Sequence, residues 1–363
     1  MKKRLLIFVF LLIGFTGKAQ LVKRPVIIEP KVEAGFILPF CEALEYVIQD
    51  EIYGFDLSLS FPTYGKDYWE KLYNHPRTGI GYSFWSLGND QILGKAHSLY
   101  GYVNFPVFKP TGKFSFNYQV SLGGAHLTKR FDLYENHLNR AIGTHLNLYV
   151  RLGIDGKIKL LPRCELLIEA GVTHFSNGKI KSPNYGINVS SFSLGLNYLL
   201  NNKEIVLQEP EIPQIEKWYV QSVIYSAGSK VYDNLIGKRY FLSSLSYNLE
   251  RLIDHKRKFG LGADFFYDGA ISEELASEDG TPEKDFSKLI RFGLHASYAV
   301  RYKQLIMGVQ FGHYLYSKYD DLSPFYNRLS VQYLLTKKIL WNIAIKSHWG
   351  KADCMECGIG YTW

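Results

Sequence analysis

Repeated alternation of apolar and polar residues, broken at turn residues, constrains this chain more than any other feature. Period-two stretches recur near 30–37, 52–61, 78–87, 95–108, 113–124, 143–155, 162–174 and 190–200. A second series recurs near 217–228, 238–250, 257–268, 288–300, 303–316, 326–335, 338–348 and 354–363. Helical signals are short and fall between strands, at Cys41–Gln49, Tyr68–Tyr73 and Ser272–Glu278. Every apolar stretch after the first residues is interrupted by polar or charged residues before it reaches the roughly 20 residues a membrane helix needs. The expected fold is all-β: an antiparallel transmembrane β-barrel of about 16 strands, on the even-strand rule. The alternative is a barrel of about 8 strands followed by a second barrel-like half. Residues 201–216 are polar, contain Pro210 and Pro213, and form the one clear linker between the halves 20–200 and 217–363.

The start of the chain agrees with export. Lys2, Lys3 and Arg4 precede an apolar run from Leu5 to Phe15, and Gly17 and Ala19 supply small residues for cleavage after Ala19. Residues 1–19 are therefore expected to be a signal peptide. Aromatic residues make up 15% of the chain, with 27 Tyr, 23 Phe and 32 Gly, a mixture suited to strands with aromatic girdles. The net charge of +8 does not imply nucleic acid, because no nucleic-acid motif accompanies it and an exported chain meets anionic lipid first. Cys354 and Cys357 have the spacing of a metal or redox pair. Residues three apart on a strand point to opposite faces, and no second pair completes a zinc site. Ordinary strand cysteines are the expectation.

The last strand alternates Met355, Cys357, Ile359, Tyr361 and Trp363 with Glu356, Gly358, Gly360 and Thr362. A closing strand that ends on an aromatic residue is similar to the assembly signal of outer-membrane barrels. The halves also echo one another distantly, Thr144–Ser176 against Arg291–Ser317. The sameness of barrel strands accounts for that echo better than an old duplication does. His313 and Ser317 are four apart, off the spacing needed for catalysis, so the second half is expected to be non-catalytic wall. The segment Lys346–Asp353 is expected to be a polar outer turn.

Chemistry concentrates in Glu169–Asn188. His174 and Ser176 are two apart at the end of a strand and project from one face. A serine hydroxyl becomes an effective nucleophile when a neighbouring imidazole takes its proton. Leu166, Ile168, Ala170 and Val172 share their parity, whereas Glu165, Glu169 and Thr173 lie on the other. In a membrane barrel the apolar set faces lipid, so His174 and Ser176 top a lipid-facing stripe. On the next strand Phe192, Leu194, Leu196, Tyr198 and Leu200 form the lipid face, and Asn188 and Ser190 share that parity. Asn188 is thus expected beside His174 on the outer wall.

The runs His174–Phe175–Ser176–Asn177 and Pro183–Asn184–Tyr185–Gly186, followed by a strand, resemble the active-site segment of the PagL-type lipid A deacylases. That resemblance covers residues 165–200 and extends over the first half. It implies an outer-membrane serine esterase that hydrolyses an acyl ester of lipid A, with lipopolysaccharide as partner and no cofactor or metal. It implies Ser176 as nucleophile and His174 as base. In the family a Glu orients the His, and here Asn188 stands in its place. Asn can accept an imidazole N–H, as in Cys-His-Asn proteases, but carries no charge. Asn177 and the backbone around Gly178 are candidates for the oxyanion hole, and Asn184 for either substrate binding or loop shaping. Gly186 fits a loop role. Lys179 and Lys181 stand where lipid A phosphates would be met, although loop lysines are ordinarily just solvated. If 162–174 is the seventh strand it runs outward, which puts the loop 175–189 at the cell surface and 201–216 in the periplasm. The reading from a different class is a non-enzymatic porin or lipid-binding barrel, marked by a wide polar lumen with no cluster at His174.

Overall fold

In the computed structural model each of the sixteen alternating stretches is a strand. The structure describes residues 25–39, 42–109, 112–178, 180–201, 206–231, 238–272, 285–318, 323–349 and 351–363. The first eight strands are β1 (Ile27–Leu38), β2 (Ile52–Pro62), β3 (Arg77–Ser86), β4 (Lys95–Pro106), β5 (Phe114–Leu127), β6 (Leu146–Leu161), β7 (Cys164–Ser176) and β8 (Ile187–Leu199). The second eight are β9 (Tyr219–Val231), β10 (Arg239–Leu252), β11 (Arg257–Asp268), β12 (Ile290–Tyr302), β13 (Leu305–Ser317), β14 (Phe325–Leu334), β15 (Ile339–His348) and β16 (Lys351–Thr362). Short helices occupy connections: α1 (Glu42–Glu45), α2 (Tyr68–Leu72) and α3 (Phe286–Leu289). The expected signal peptide, Cys41 and most of the helix expected at Ser272–Glu278 lie outside the described residues.

The strands close as two barrels of eight, the alternative arrangement, rather than as one wide ring. β1 pairs antiparallel with β8, Val32 opposite Leu194, and β16 pairs with β9, Ile359 opposite Tyr225. Alternation fixes which face of a strand is apolar but not which strand closes the ring. The polar linker separates the two closures: residues 206–216 have no regular structure and leave β8 free to return to β1.

An eight-stranded ring is just wide enough for side chains to fill its interior. In the first barrel Arg151, 1% exposed, forms ion pairs with Glu169 at 2.7 Å and Glu33 at 3.5 Å. The same guanidinium donates to Thr173, Ser191 and Ser193. Lys31 reaches Glu169 at 3.1 Å and Asp56 at 3.4 Å. In the second barrel Asp264 accepts from His295, Tyr326 and Arg328. Lys230 and Lys346 share Asp353. Lys346 and Asp353, expected in an outer turn, therefore face the interior, because the turn proper is confined to the residues between β15 and β16. Outward positions are apolar and exposed, among them Val32, Ile168, Phe192, Leu194, Leu261, Phe311 and Ile359. Cys354 is buried and Cys357 exposed, on opposite faces as the strand period requires.

Antiparallel order puts the linker and the C-terminus at one end of both barrels. At that end the barrels touch through the β2–β3 connection. The Tyr73 hydroxyl donates to the Arg301 carbonyl at 2.6 Å, Lys256 donates to the Leu72 carbonyl, and Lys303 pairs with Glu70 at 3.4 Å. Tyr73, Phe105 and Tyr302 stack edge to face across the junction. The linker docks on the same connection, where Lys71 pairs with Glu209 at 3.0 Å. The segments echoed in sequence, Thr144–Ser176 and Arg291–Ser317, lie on the sixth and seventh strands of one barrel and the fourth and fifth of the other, so they are not structural equivalents. His313 sits exposed on the outer wall against Phe325.

Glu169 is the nearest carboxylate to both buried cations, and its removal leaves Lys31 only the longer pair with Asp56 and Arg151 only the longer pair with Glu33. Glu169→Ala is expected to destabilise the first barrel by about 3–5 kcal/mol. The check is the temperature at which the folded band is lost on semi-native gel electrophoresis, and an unchanged transition would refute the assignment.

Candidate functional site

The site lies at the end of the first barrel opposite the linker, where β7 passes into β8. Here the barrel mouth is plugged by apolar residues: Trp85, Leu93, Leu127, Ile142, Tyr149, Phe175, Ile187 and Val189 are all fully buried. Phe175 and Ile187 point into this plug and face each other across the β7–β8 ladder. Their outward neighbours are consequently held on a rigid backbone. These neighbours are His174, Ser176 and Asn188.

His174 lies opposite Asn188 in register, and Val150 flanks it on β6. The imidazole Nδ1 and the Asn188 Oδ1 are 2.6 Å apart. An amide oxygen only accepts, so with the side-chain amide so oriented Nδ1 carries the proton and Nε2 presents a lone pair. Ser176 is two residues further along the same outward face, opposite Leu148. Among the described residues no hydrogen bond joins Ser176 to His174. The pair shares a face without being closed, a geometry that uncomplexed catalytic pairs commonly show.

The outward face here is not open lipid wall. Ser176 is 7% exposed and Asn188 8%. The described residues of the connection 177–186 are stapled to one another, and Gly186 lies against the His174 ring. The Asn184 Oδ1 accepts the Asn177 backbone N–H at 3.0 Å, and the Asn177 side-chain amide donates to the Lys181 carbonyl at 2.8 Å. Asn177 and Asn184 are thereby engaged within the loop. The loop leans on the β5–β6 connection, where the Gly186 N–H donates to the Ala141 carbonyl at 3.0 Å. Lys181 is exposed, and Lys179 lies outside the described residues.

Two glycines in this loop have specific duties. Gly178 has φ +62°, the left-handed region that favours glycine. Its backbone N–H makes no hydrogen bond among the described residues, and it immediately follows the serine segment. Gly186 has φ +80°, and a Cβ there would stand 2.8 Å from the imidazole Cε1 and 3.5 Å from Nε2. Gly186 therefore shapes the turn and also leaves room along the reactive edge of His174. That second duty was invisible in sequence, where Gly186 reads only as a turn residue.

Sequence parity located His174, Ser176 and Asn188 on one outward face and Glu169 in the lumen, where Glu169 indeed pairs with Arg151 and Lys31. It missed the contacts that this connection makes. A Cβ on Gly178 would lie 3.0 Å from the Met355 Sδ, and the Arg239 guanidinium donates to the Ile180 carbonyl at 2.6 Å. Both partners come from the second barrel, far away in sequence.

Comparison with known proteins gives two family matches. A family described as lipid A 3-O-deacylase (PagL) matches residues 53–197, and one described as acyloxyacyl hydrolase, C-terminal domain, matches residues 218–363. Among solved structures, the chain is similar to the outer-membrane enzyme PagL at 17% identity and TM-score 0.31, covering 46% of this chain and 97% of that one. It is similar to Neisserial surface protein A at 14% identity and TM-score 0.29, covering 48% and 96%. It is similar to OccK11 of Pseudomonas aeruginosa at 12% identity and TM-score 0.22, covering 94% and 95%. No curated protein sequence matches significantly.

Gly186→Ala should crowd the imidazole and force a side chain into a left-handed conformation, at a backbone cost of about 1–2 kcal/mol. Labelling of Ser176 by a serine-directed fluorophosphonate is expected to fall at least about tenfold while the barrel still assembles. Undiminished labelling would show that His174 does not depend on that space.

Proposed function

The chain belongs to the lipid A 3-O-deacylase (PagL) family of outer-membrane ester hydrolases, and on that premise we propose that it removes an ester-linked acyl chain from lipid A by a serine mechanism. The observation that carries the reading is the outward-facing group of Ser176, His174 and Asn188, with Nδ1 of the imidazole fixed by an amide oxygen.

In this reading Nε2 of His174 takes the Ser176 hydroxyl proton as Oγ bonds to the ester carbonyl carbon. The carbonyl electron pair moves onto oxygen, and the Gly178 N–H is the donor that stabilises it. Collapse re-forms the carbonyl and breaks the bond to the sugar oxygen, which leaves with the proton from the imidazolium. Water then repeats the sequence on the acyl-serine, giving the free fatty acid and restoring Ser176. Asn188 orients the imidazole and fixes its tautomer, as Asn does in Cys-His-Asn sites. Lacking charge, it stabilises the imidazolium only through its dipole.

Topology supports the substrate. Bacterial barrels begin and end in the periplasm and carry their longer loops outside. The connection 128–145, longer than the connection 63–76 at the linker end, lies with the β7–β8 connection at the end opposite the linker. With that end outside, Ser176 stands at outer-leaflet depth beside the lipid face, where an acyl ester of lipid A is met. A pore function is disfavoured, because both lumens are filled by buried ion pairs such as Arg151–Glu169 and Arg328–Asp264.

The test is mass spectrometry of lipid A from cells expressing the wild type or Ser176→Ala. Loss of one acyl chain with the wild type alone is expected. Deacylation that persists in Ser176→Ala would remove the serine mechanism. An assembled wild type that leaves detergent-solubilised lipid A intact would remove the activity itself. Asn188→Leu should assemble and retain slow turnover, reduced roughly 10²-fold by loss of imidazole orientation. Undiminished turnover would end the role given to Asn188.

A further inference from the structure

Among the described residues the second barrel meets the first at each end. At the linker end the contacts are those of Tyr73, Lys256 and Lys303. At the other end they are the contacts of Met355 and Arg239 with the β7–β8 connection. Among the described residues no strand of one barrel pairs with a strand of the other. Outward residues such as Phe192 and Leu194 of β8 and Tyr225 and Ile359 of the second barrel stay exposed. Two convex apolar walls that approach each other at Gly178 and Met355 leave an apolar cleft beside that contact.

The mouth of that cleft is chemically marked. Met355 lies on the outward face of β16, in series with Cys357, Ile359 and Tyr361. Its thioether reaches Gly178, whose N–H is the proposed oxyanion donor. Methionine is flexible and apolar and adapts to chains of varied shape. Arg239 and Lys238, both exposed, stand at the same rim with Lys181. Cations at headgroup level above an apolar cleft match an anionic glycolipid with its acyl chains pointing down.

We propose that the second barrel completes the substrate site: the acyl chain to be removed lies in the cleft where the barrels approach, with Met355 as its wall beside Gly178 and Arg239 as a positioning residue that holds the β7–β8 connection. This rests on the serine mechanism above. It gives residues 218–363 a task beyond scaffolding and makes Met355 a determinant of acyl-chain length.

The experiment uses the purified full chain in detergent with two purified lipid A preparations, one carrying shorter and one longer ester-linked chains. Met355→Trp narrows the cleft and is expected to lower turnover of the longer chain at least about tenfold relative to the shorter. Met355→Ala widens it and should shift the ratio toward the longer chain, which keeps the test alive if the tryptophan variant fails to assemble. Leu152→Trp, on the exposed wall of β6 opposite Val172, should leave the ratio unchanged. An unchanged ratio in both Met355 variants, with Ser176→Ala inactive, overturns the proposal while sparing the mechanism. A ratio that responds to Leu152→Trp alone overturns it too, by putting the chain on the open wall. Retained turnover in Ser176→Ala removes the mechanism and this proposal together.

Discussion

In a bilayer core no water is available to satisfy a strand edge, so a sheet that crosses it must close. The rest of this structure follows from where closure occurs. With eight strands the ring leaves an interior that side chains fill, and the backbone alternation sends every second residue there. Arg151, Lys31, Glu169, Glu33 and Asp56 can be charged in that interior because each finds an opposite partner at short range. The complementary positions must then be apolar, since they face lipid. Polar residues on that outer face are costly, and His174, Ser176 and Asn188 stand out because they stand together at the β7–β8 rim.

Rigidity reaches the site by the same alternation. Phe175 lies between His174 and Ser176 and is sunk in the apolar plug with Tyr149 and Ile187. Residue by residue, then, β7 alternates between anchoring the barrel mouth and presenting chemistry to the membrane. The β7–β8 ladder aligns Asn188 with His174 directly, so the amide–imidazole contact is a consequence of register and needs no special loop. An acid in place of Asn188 would bring a charge to a buried position. An amide avoids that desolvation cost and gives up charge stabilisation of the imidazolium in return.

Much of this was legible in sequence because it depends on period two alone. All sixteen strands, the inward direction of Glu169, the outward direction of His174, Ser176 and Asn188, and the opposite faces of Cys354 and Cys357 follow from parity. Closure was not legible, because pairing of β1 with β8 and of β9 with β16 depends on which edges meet in space. The inward turn of Lys346 and Asp353 was missed for a related reason. Charged residues near a turn read as solvent-facing unless their partner, here Lys230 on a distant strand, is known. The contact of Met355 with Gly178 had no sequence signal, since Met355 appears only as one more member of an alternating apolar face.

Two barrels in one chain also change the lipid environment of the site. A single eight-stranded barrel presents convex walls on all sides, and a lipid against a convex wall is held only along one line. Two convex walls side by side make a cleft that contacts a chain from both sides, so more apolar surface is buried per chain without any cavity in either barrel. The contacts Tyr73–Arg301 and Arg239–Ile180 join the barrels at opposite ends. Because the second of these contacts bonds to the β7–β8 connection, the placement of the second barrel and the shape of that connection are linked. A change in how the barrels stand against each other would reach the connection through Ile180 and through Gly178, which Met355 approaches.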